Sequence, residues 1–251
     1  MKEIISVINQ KGGVGKSTTS HLIGCGLTER GFKVLFIDLD SQGNLSYTVG
    51  VDRKGPSSLG VLTQETNVKE AIKQTQYGDI IQSSSALAGA DAVITALGKE
   101  YRLKEALETI KEDYDYIVID TPPALGILTI NALTASDSIV IPTQADIYSL
   151  QGIAQLRETV HVVRQYCNKD LKIKGILLTR YNNRSVLSRE MADLLLQTAS
   201  KLGTKLFKTC IRENITIREA QLSQKSVFEY APKSNAAQDY NSFLDEILKG
   251  E

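Results

Sequence analysis

Two kinds of hydrophobic pattern alternate along the chain. Short continuous apolar runs recur at Ile4-Ile5-Ser6-Val7-Ile8, Val34-Leu35-Phe36-Ile37, Tyr116-Ile117-Val118-Ile119 and Ser138-Ile139-Val140-Ile141. Runs of this length, without polar alternation, predict strands buried on both faces. Between them the apolar residues take helical spacing. Over 149–166 they fall at Leu150, Ile153, Ala154, Leu156, Val160 and Val163, one side of a helix. Helices are also expected after residue 17, over 67–74, 86–97 and 102–111, up to about 135, and over 185–202 and 235–249. Further strands are expected at 80–81 and 173–178, with an edge strand at 206–211. This alternation predicts an α/β fold: a single doubly wound, mostly parallel sheet with helices on both faces. No internal repeat, low-complexity segment or linker interrupts it, so one domain over 1–251 is expected.

Composition narrows the class. Of the 251 residues 42% are hydrophobic and 23% charged, ordinary for a globule with a sizeable core. The 29 basic and 29 acidic residues cancel, so any nucleic-acid contact must come from a local patch. One such bias exists: 180–233 holds ten Lys/Arg against five Asp/Glu. Arg184, Arg189, Lys205, Lys208, Arg218 and Lys225 are the candidates for a DNA-facing surface, with an ordinary solvated surface as the alternative. Cys25, Cys167 and Cys210 are far apart and lack metal-ligand spacing, which suits a reducing, cytoplasmic setting. The first strand starts at once, so no signal peptide is expected, and no run of about 18 apolar residues marks a membrane span.

The chemistry concentrates behind the first strand. Lys11-Gly12-Gly13-Val14-Gly15-Lys16-Ser17-Thr18 sits between that strand and a helix, the context a phosphate-binding loop requires. The pattern G-x-x-x-x-G-K-[ST] would begin at position 10, where this chain has Gln10. Glycines still let backbone N–H groups wrap a polyphosphate at the positive end of the following helix. Lys16 adds a point charge for the outer phosphates, and Ser17 a hydroxyl for magnesium. Lys11 is a second loop lysine, costly in repulsion unless another phosphate needs it.

Two acidic strand ends complete the picture. The run ending at Ile37 leads into Asp38-Leu39-Asp40-Ser41-Gln42, and Ile119 leads into Asp120-Thr121-Pro122-Pro123. In an open α/β sheet, ligands bind beyond the carboxyl ends of the strands. Of Asp38 and Asp40, one suits organising magnesium and one suits orienting an attacking water. Asp120 is placed to join the metal shell.

Together the loop and the Asp38-x-Asp40-x-Gln42 segment resemble the deviant Walker A motif and acidic motif of the ParA/MinD ATPases. Asn9-Gln10 resembles the ParA (Soj) branch. The resemblance implies a P-loop fold of the SIMIBI type and nucleotide contacts from Gly12, Gly13, Val14, Gly15, Lys16, Ser17 and Thr18. It implies that Asp40 positions the hydrolytic water, that Asp38 acts around the metal, and that Lys11 reaches the partner's nucleotide across a dimer. Asp146 stands where the family usually has a glutamate facing the nucleotide across the dimer; a helix cap is the alternative. Asn182 and the Ile211–Asn214 stretch resemble the adenine-side loops, with Arg212 where the family has proline and Asn214 beyond it. Asn182 could equally be a turn residue, and Gln221 replaces another of the family's prolines.

The implied function is a partition ATPase. It takes ATP and Mg2+, forms a homodimer around two nucleotides, binds DNA nonspecifically at the nucleoid, and is stimulated by a ParB-type partner. Slow turnover is expected, since no His or Glu stands near the loop as a strong base. Two rivals share the loop: a MinD-like membrane-positioning ATPase and a ligase such as dethiobiotin synthetase. The polar face of the terminal helix carries Asp239, Asp245 and Glu246, where a membrane-surface helix wants Lys or Arg. Packing against the domain, with no membrane contact, is therefore expected for it.

Overall fold

The computed structural model describes residues 1–182 and 185–249. Eight strands run through it: β1 Glu3–Val7, β2 Val34–Asp38, β3 Ile72–Thr75, β4 Gly78–Ile81, β5 Tyr116–Asp120, β6 Ser138–Thr143, β7 Lys172–Tyr181 and β8 Leu206–Arg212. They form one sheet in the order β3-β4-β2-β5-β1-β6-β7-β8. Every pairing is parallel except β3 with β4.

Strand alternation sorts the apolar runs onto two faces. Ile5 and Val7, Val34 and Phe36, and Tyr116 and Val118 point to the side covered by the helices Lys16–Glu29 and Asn235–Lys249. Leu35 and Ile37, and Ile117 and Ile119, point to the other side, under Arg102–Glu108 and Ile127–Ala135. The first helix lies so close to β2 that a Cβ at Gly24 would come within 2.0 Å of the Phe36 ring. The terminal helix buries Ala236, Ala237, Tyr240, Phe243, Leu244 and Ile247. Its acidic face is used as well. Glu246 accepts the backbone N–H groups of Lys208 and Thr209, and Asp239 that of Arg212, so carboxylates cover part of the sheet edge at β8.

Several boundaries differ from expectation. The helix expected over 67–74 stops at Ala71, and Ile72–Thr75 becomes β3, an antiparallel partner of β4 across a turn at Gly78 with φ +122°. Pairing with the sheet overrides the local helical spacing there. Over 86–97 only a 3₁₀ turn, Ser85–Gly89, and the helical turn Ala90–Val93 form. The helices Asn44–Thr48, Ser58–Leu62, Ile215–Leu222 and Val227–Tyr230 are too short for periodicity to announce. No helix among the described residues is long and apolar enough to cross a membrane.

Candidate nucleotide and metal site

Adjacent β5, β1 and β6 bring their carboxyl ends together, with β2 beside β5. The turn after β1 is the glycine loop. Gly13 at φ +74° and Gly15 at φ +89° take left-handed backbone that a side chain disfavours. A Cβ built on Gly12 or Gly13 meets nothing within 4 Å, so this side of the loop is open to a ligand. A cavity of about 620 Å³ opens over the loop, lined by Gly12, Gly13, Lys16, Ser17, Asp40 and Pro123 among others.

Neighbouring segments hold the loop. Asn9 Nδ2 donates to the Pro142 carbonyl at 2.8 Å, and its Oδ1 accepts the Lys11 N–H at 2.9 Å. Gln144 Nε2 donates to the Gly13 carbonyl at 3.2 Å, and Thr179 Oγ1 to that of Val14 at 2.8 Å. Lys16 Nζ donates to the Lys11 carbonyl at 3.1 Å. Burial pulls the Lys16 ammonium below the usual lysine range, and Asp120 and Asp40 oppose that pull. Lys11 Nζ meets the Asp146 carboxylate at 2.5 Å. Asp146 is also the cap of the Ile147–Tyr166 helix, accepting the Ser149 N–H at 3.0 Å. Burial would raise the Asp146 carboxyl, but Lys11 and Ser149 outweigh it and hold it below the usual carboxylate range.

The three aspartates differ in what they have left to offer. Asp38 is fully buried and accepts from Ser46 N–H at 2.8 Å, Ser46 Oγ at 2.7 Å and Asp40 N–H at 3.1 Å. Burial raises it to about 6, against those hydrogen bonds. Three protein donors occupy most of its acceptor sites, and through the Asp40 N–H it braces the loop that carries Asp40. Asp120 accepts from Ser20 Oγ at 3.0 Å, and its buried Oδ2 has no hydrogen-bond partner. Burial and then Asp38 drive its carboxyl up to about 8, with the Ser17 and Ser20 hydroxyls acting against this. A buried carboxylate oxygen without a donor, beside a serine at the loop, suits a hard cation. Asp40 lines the cavity and accepts the Gln42 N–H at 3.0 Å through Oδ1.

A second cavity, of about 280 Å³, continues from the first past Gly15, Thr18 and Gln221. Ile211, Ile217 and Tyr240 give it apolar walls, and Arg212 and Asn214 lie at its side. Its size and lining suit a nucleobase. Both polar candidates here have protein partners. The Arg212 guanidinium holds Asp239 at 2.7 Å, and Asn214 caps the Ile215–Leu222 helix through Thr216 N–H. Asn182 is exposed beyond β7 and does not line this cavity.

The basic candidates spread over several elements. Arg189 is exposed on the Val186–Lys201 helix, Lys208 is exposed on β8, and Lys205 lies over the Phe207 ring. Lys225 pairs with Glu229 at 2.8 Å. Arg218 lines both cavities, a position that sequence spacing did not suggest. Arg184 lies outside the described residues. Ser46, Ser83, Gln144 and Arg53, which hold the acidic and glycine loops, carry no motif and were not foreseen.

Sheet order, glycine loop and acidic strand ends define a P-loop nucleoside-triphosphatase fold with an extra lysine at the start of its loop. Comparison with known proteins agrees. The AAA domain family matches residues 2–173. The sporulation initiation inhibitor protein Soj of Bacillus subtilis is 40% identical over 98% of both chains. The chromosome partitioning protein ParA of Caulobacter vibrioides is 35% identical, over 99% of this chain and 94% of its own. A Mycobacterium smegmatis structure described as a cobyrinic acid a,c-diamide synthase with ADP and magnesium superposes with a TM-score of 0.86. It is 35% identical and covers 99% of this chain and 95% of its own. The chain belongs to the Soj/ParA family of ParA/MinD-type ATPases.

Proposed function

We propose that this chain is a Mg-ATP-dependent partition ATPase whose ATP-bound homodimer binds DNA nonspecifically and is released when a ParB-type partner stimulates hydrolysis. The observation that carries the reading is the convergence of Lys11, Lys16, Asp40 and Asp120 around one open glycine loop in a relative of Soj and ParA.

In this reading the loop N–H groups and Lys16 hold the β- and γ-phosphates, and Ser17 and Asp120 hold magnesium. Bound there, magnesium would supply charge neutralisation for the phosphates. Asp40 orients the water, and Asp38 keeps the Asp40 loop in place. Lys11 leaves Asp146 for the partner's nucleotide, where two facing polyphosphates would otherwise repel. The apolar second cavity takes the base. Arg189, Lys205, Lys208, Arg218 and Lys225 are the DNA-contact candidates, acting on phosphate. The protein works at the nucleoid in the cytoplasm, and its terminal helix, with its apolar stripe buried, is not a membrane anchor.

A ligase reading is favoured by one thing, the name of the Mycobacterium smegmatis neighbour. A ligase would turn over ATP only with a small acceptor present. Binding of a random-sequence DNA duplex, compared with ATP, with ADP and without nucleotide, separates the readings. Binding with ATP alone supports the partition ATPase, and equal binding in all three conditions counts against it.

A further inference from the structure

We propose that Arg53 is a positioning residue for hydrolysis, a guanidinium fork that fixes the loop carrying Asp40; this rests on the reading of Asp40 as the water-orienting group. Arg53 Nη1 donates to the Gln42 carbonyl at 2.9 Å, and Nη2 to the Ser41 carbonyl at 2.6 Å. These are the two residues after Asp40, and Gln42 N–H in turn donates to Asp40 Oδ1. A planar fork with two parallel donors suits two adjacent carbonyls, and a single ammonium does not.

The backbone is shaped around this contact at both ends. Arg53 sits at φ +59°, a left-handed conformation costly for any residue with a Cβ. Gly43 sits at φ +67°, and a Cβ there would come within 2.4 Å of the Arg53 Cζ. The guanidinium therefore packs directly on the Gly43 backbone, and a Cβ at Gly43 would push it out of this seat.

The segment around Arg53 is held from the sheet through its neighbours Asp52, Lys54 and Pro56. Lys73 on β3 binds Asp52 at 3.3 Å and the Lys54 carbonyl at 2.7 Å. Gln82, buried just beyond β4, donates to the Lys54 carbonyl at 2.6 Å and to that of Pro56 at 2.9 Å. On the opposite side Asp38 accepts the Asp40 N–H, and Ser83 Oγ donates to the Asp40 carbonyl. The Asp40 loop is thus clamped between the strand-end groups Asp38 and Ser83 and an arginine strap anchored on the β3–β4 hairpin. None of the strap residues lines the cavity that holds Lys16, so the strap can act on Asp40 without touching the phosphates.

The test uses Arg53→Gly, which deletes the fork and relieves the left-handed strain, and Arg53→Lys, which keeps the charge without the fork. Asp40→Ala is the reference. ATP turnover, ATP affinity and thermal unfolding are measured on the full chain with Mg2+. The expected result for Arg53→Gly is a loss of roughly tenfold or more in kcat, with ATP affinity and Tm close to parental, since small misplacement of a catalytic group costs rate. Arg53→Lys should recover little of that loss. Parental turnover in Arg53→Gly beside an inactive Asp40→Ala overturns the strap and leaves the Asp40 reading intact. Parental turnover in Asp40→Ala overturns both. Full recovery by Arg53→Lys, or a kcat loss matched by losses in affinity and Tm, shows charge or folding at work and overturns the positioning role.

Discussion

The Lys11 ammonium is bonded to the carboxylate of Asp146, 135 residues further along the chain, at 2.5 Å. The extra lysine of the loop is thus tied to the cap of the Ile147–Tyr166 helix within its own subunit. Both side chains are about a third exposed, 31% and 30%, so the pair is worth about 1 kcal/mol or less after solvent screening. A contact of that size is easily exchanged for a phosphate.

Lys11→Ala should therefore leave ATP binding by the monomer nearly unchanged, because Lys16 serves the phosphates there. It should abolish ATP-induced dimerisation and hydrolysis, since Lys11 offsets repulsion between two polyphosphates and meets the charge that develops on the γ-phosphate. Light scattering with ATP, alongside nucleotide binding and turnover, makes the check. Parental dimerisation and turnover would remove the cross-dimer role.

Lys16→Ala and Asp40→Ala should separate binding from chemistry. Lys16 is the buried cation of the loop, so its loss should weaken ATP binding by roughly a hundredfold, by the size of a charged hydrogen bond. Asp40→Ala should bind ATP normally, dimerise and fail to hydrolyse, because a water-orienting group acts mainly in the transition state. Equilibrium binding and single-turnover hydrolysis report the two steps. An Asp40→Ala protein that stays monomeric with ATP contradicts the assignment.

The fold was legible where burial dictates sequence. β1, β2, β5 and β6 are central strands covered on both faces, so they carry the unbroken apolar runs that announce them. β3 was hidden: Lys73 and Gln74 break any apolar run, and the strand exists through pairing with β4. The phosphate loop was legible because its geometry demands glycines and lysines in sequence. The bracing of that loop and of the acidic loop after β2 was not. Arg53 meets Ser41 and Gln42 across a turn, Ser46 reaches Asp38 from the next helix, and Asp146 meets Lys11 across the sheet. Each depends on folded proximity between residues far apart in sequence or outside any shared motif.

DNA binding should appear with ATP, show no sequence preference, and fall steeply with salt, because phosphate contacts release counterions. Arg189→Glu should weaken it at least tenfold without changing ATP affinity, since Arg189 is exposed on a helix and lines neither cavity. Arg218→Glu is less clean, because Arg218 lines both cavities and can affect nucleotide as well. Fluorescence anisotropy over a salt series, with ATP and with ADP, tests this. Tight binding in ADP contradicts it.

His21 gives the chain a pH-dependent stability that owes nothing to the nucleotide. It lies in the first helix, buried, its ring edge-on to Tyr77 at 5.5 Å, and its Nε2 has no hydrogen-bond partner. Burial without a partner drives the imidazole down to about 4 from an ordinary 6.5. Above pH 6.5 the ring is neutral in both folded and unfolded chains, and the native state loses nothing. As pH falls from 6.5 towards 4 the unfolded chain takes up a proton that the folded one refuses, so stability falls. Below about 4 the native ring also charges and the loss levels off, at about 3 kcal/mol in total. Asp38 and Asp120 titrate in the opposite sense, so the comparison must be between parent and variant. His21→Leu keeps an apolar side chain of similar size and removes the titration. Urea unfolding at pH 7 and pH 4.5 should show the parent losing about 2 kcal/mol more than the variant across that interval. Equal losses would mean that His21 is protonated in the folded protein, with a partner that this packing does not provide.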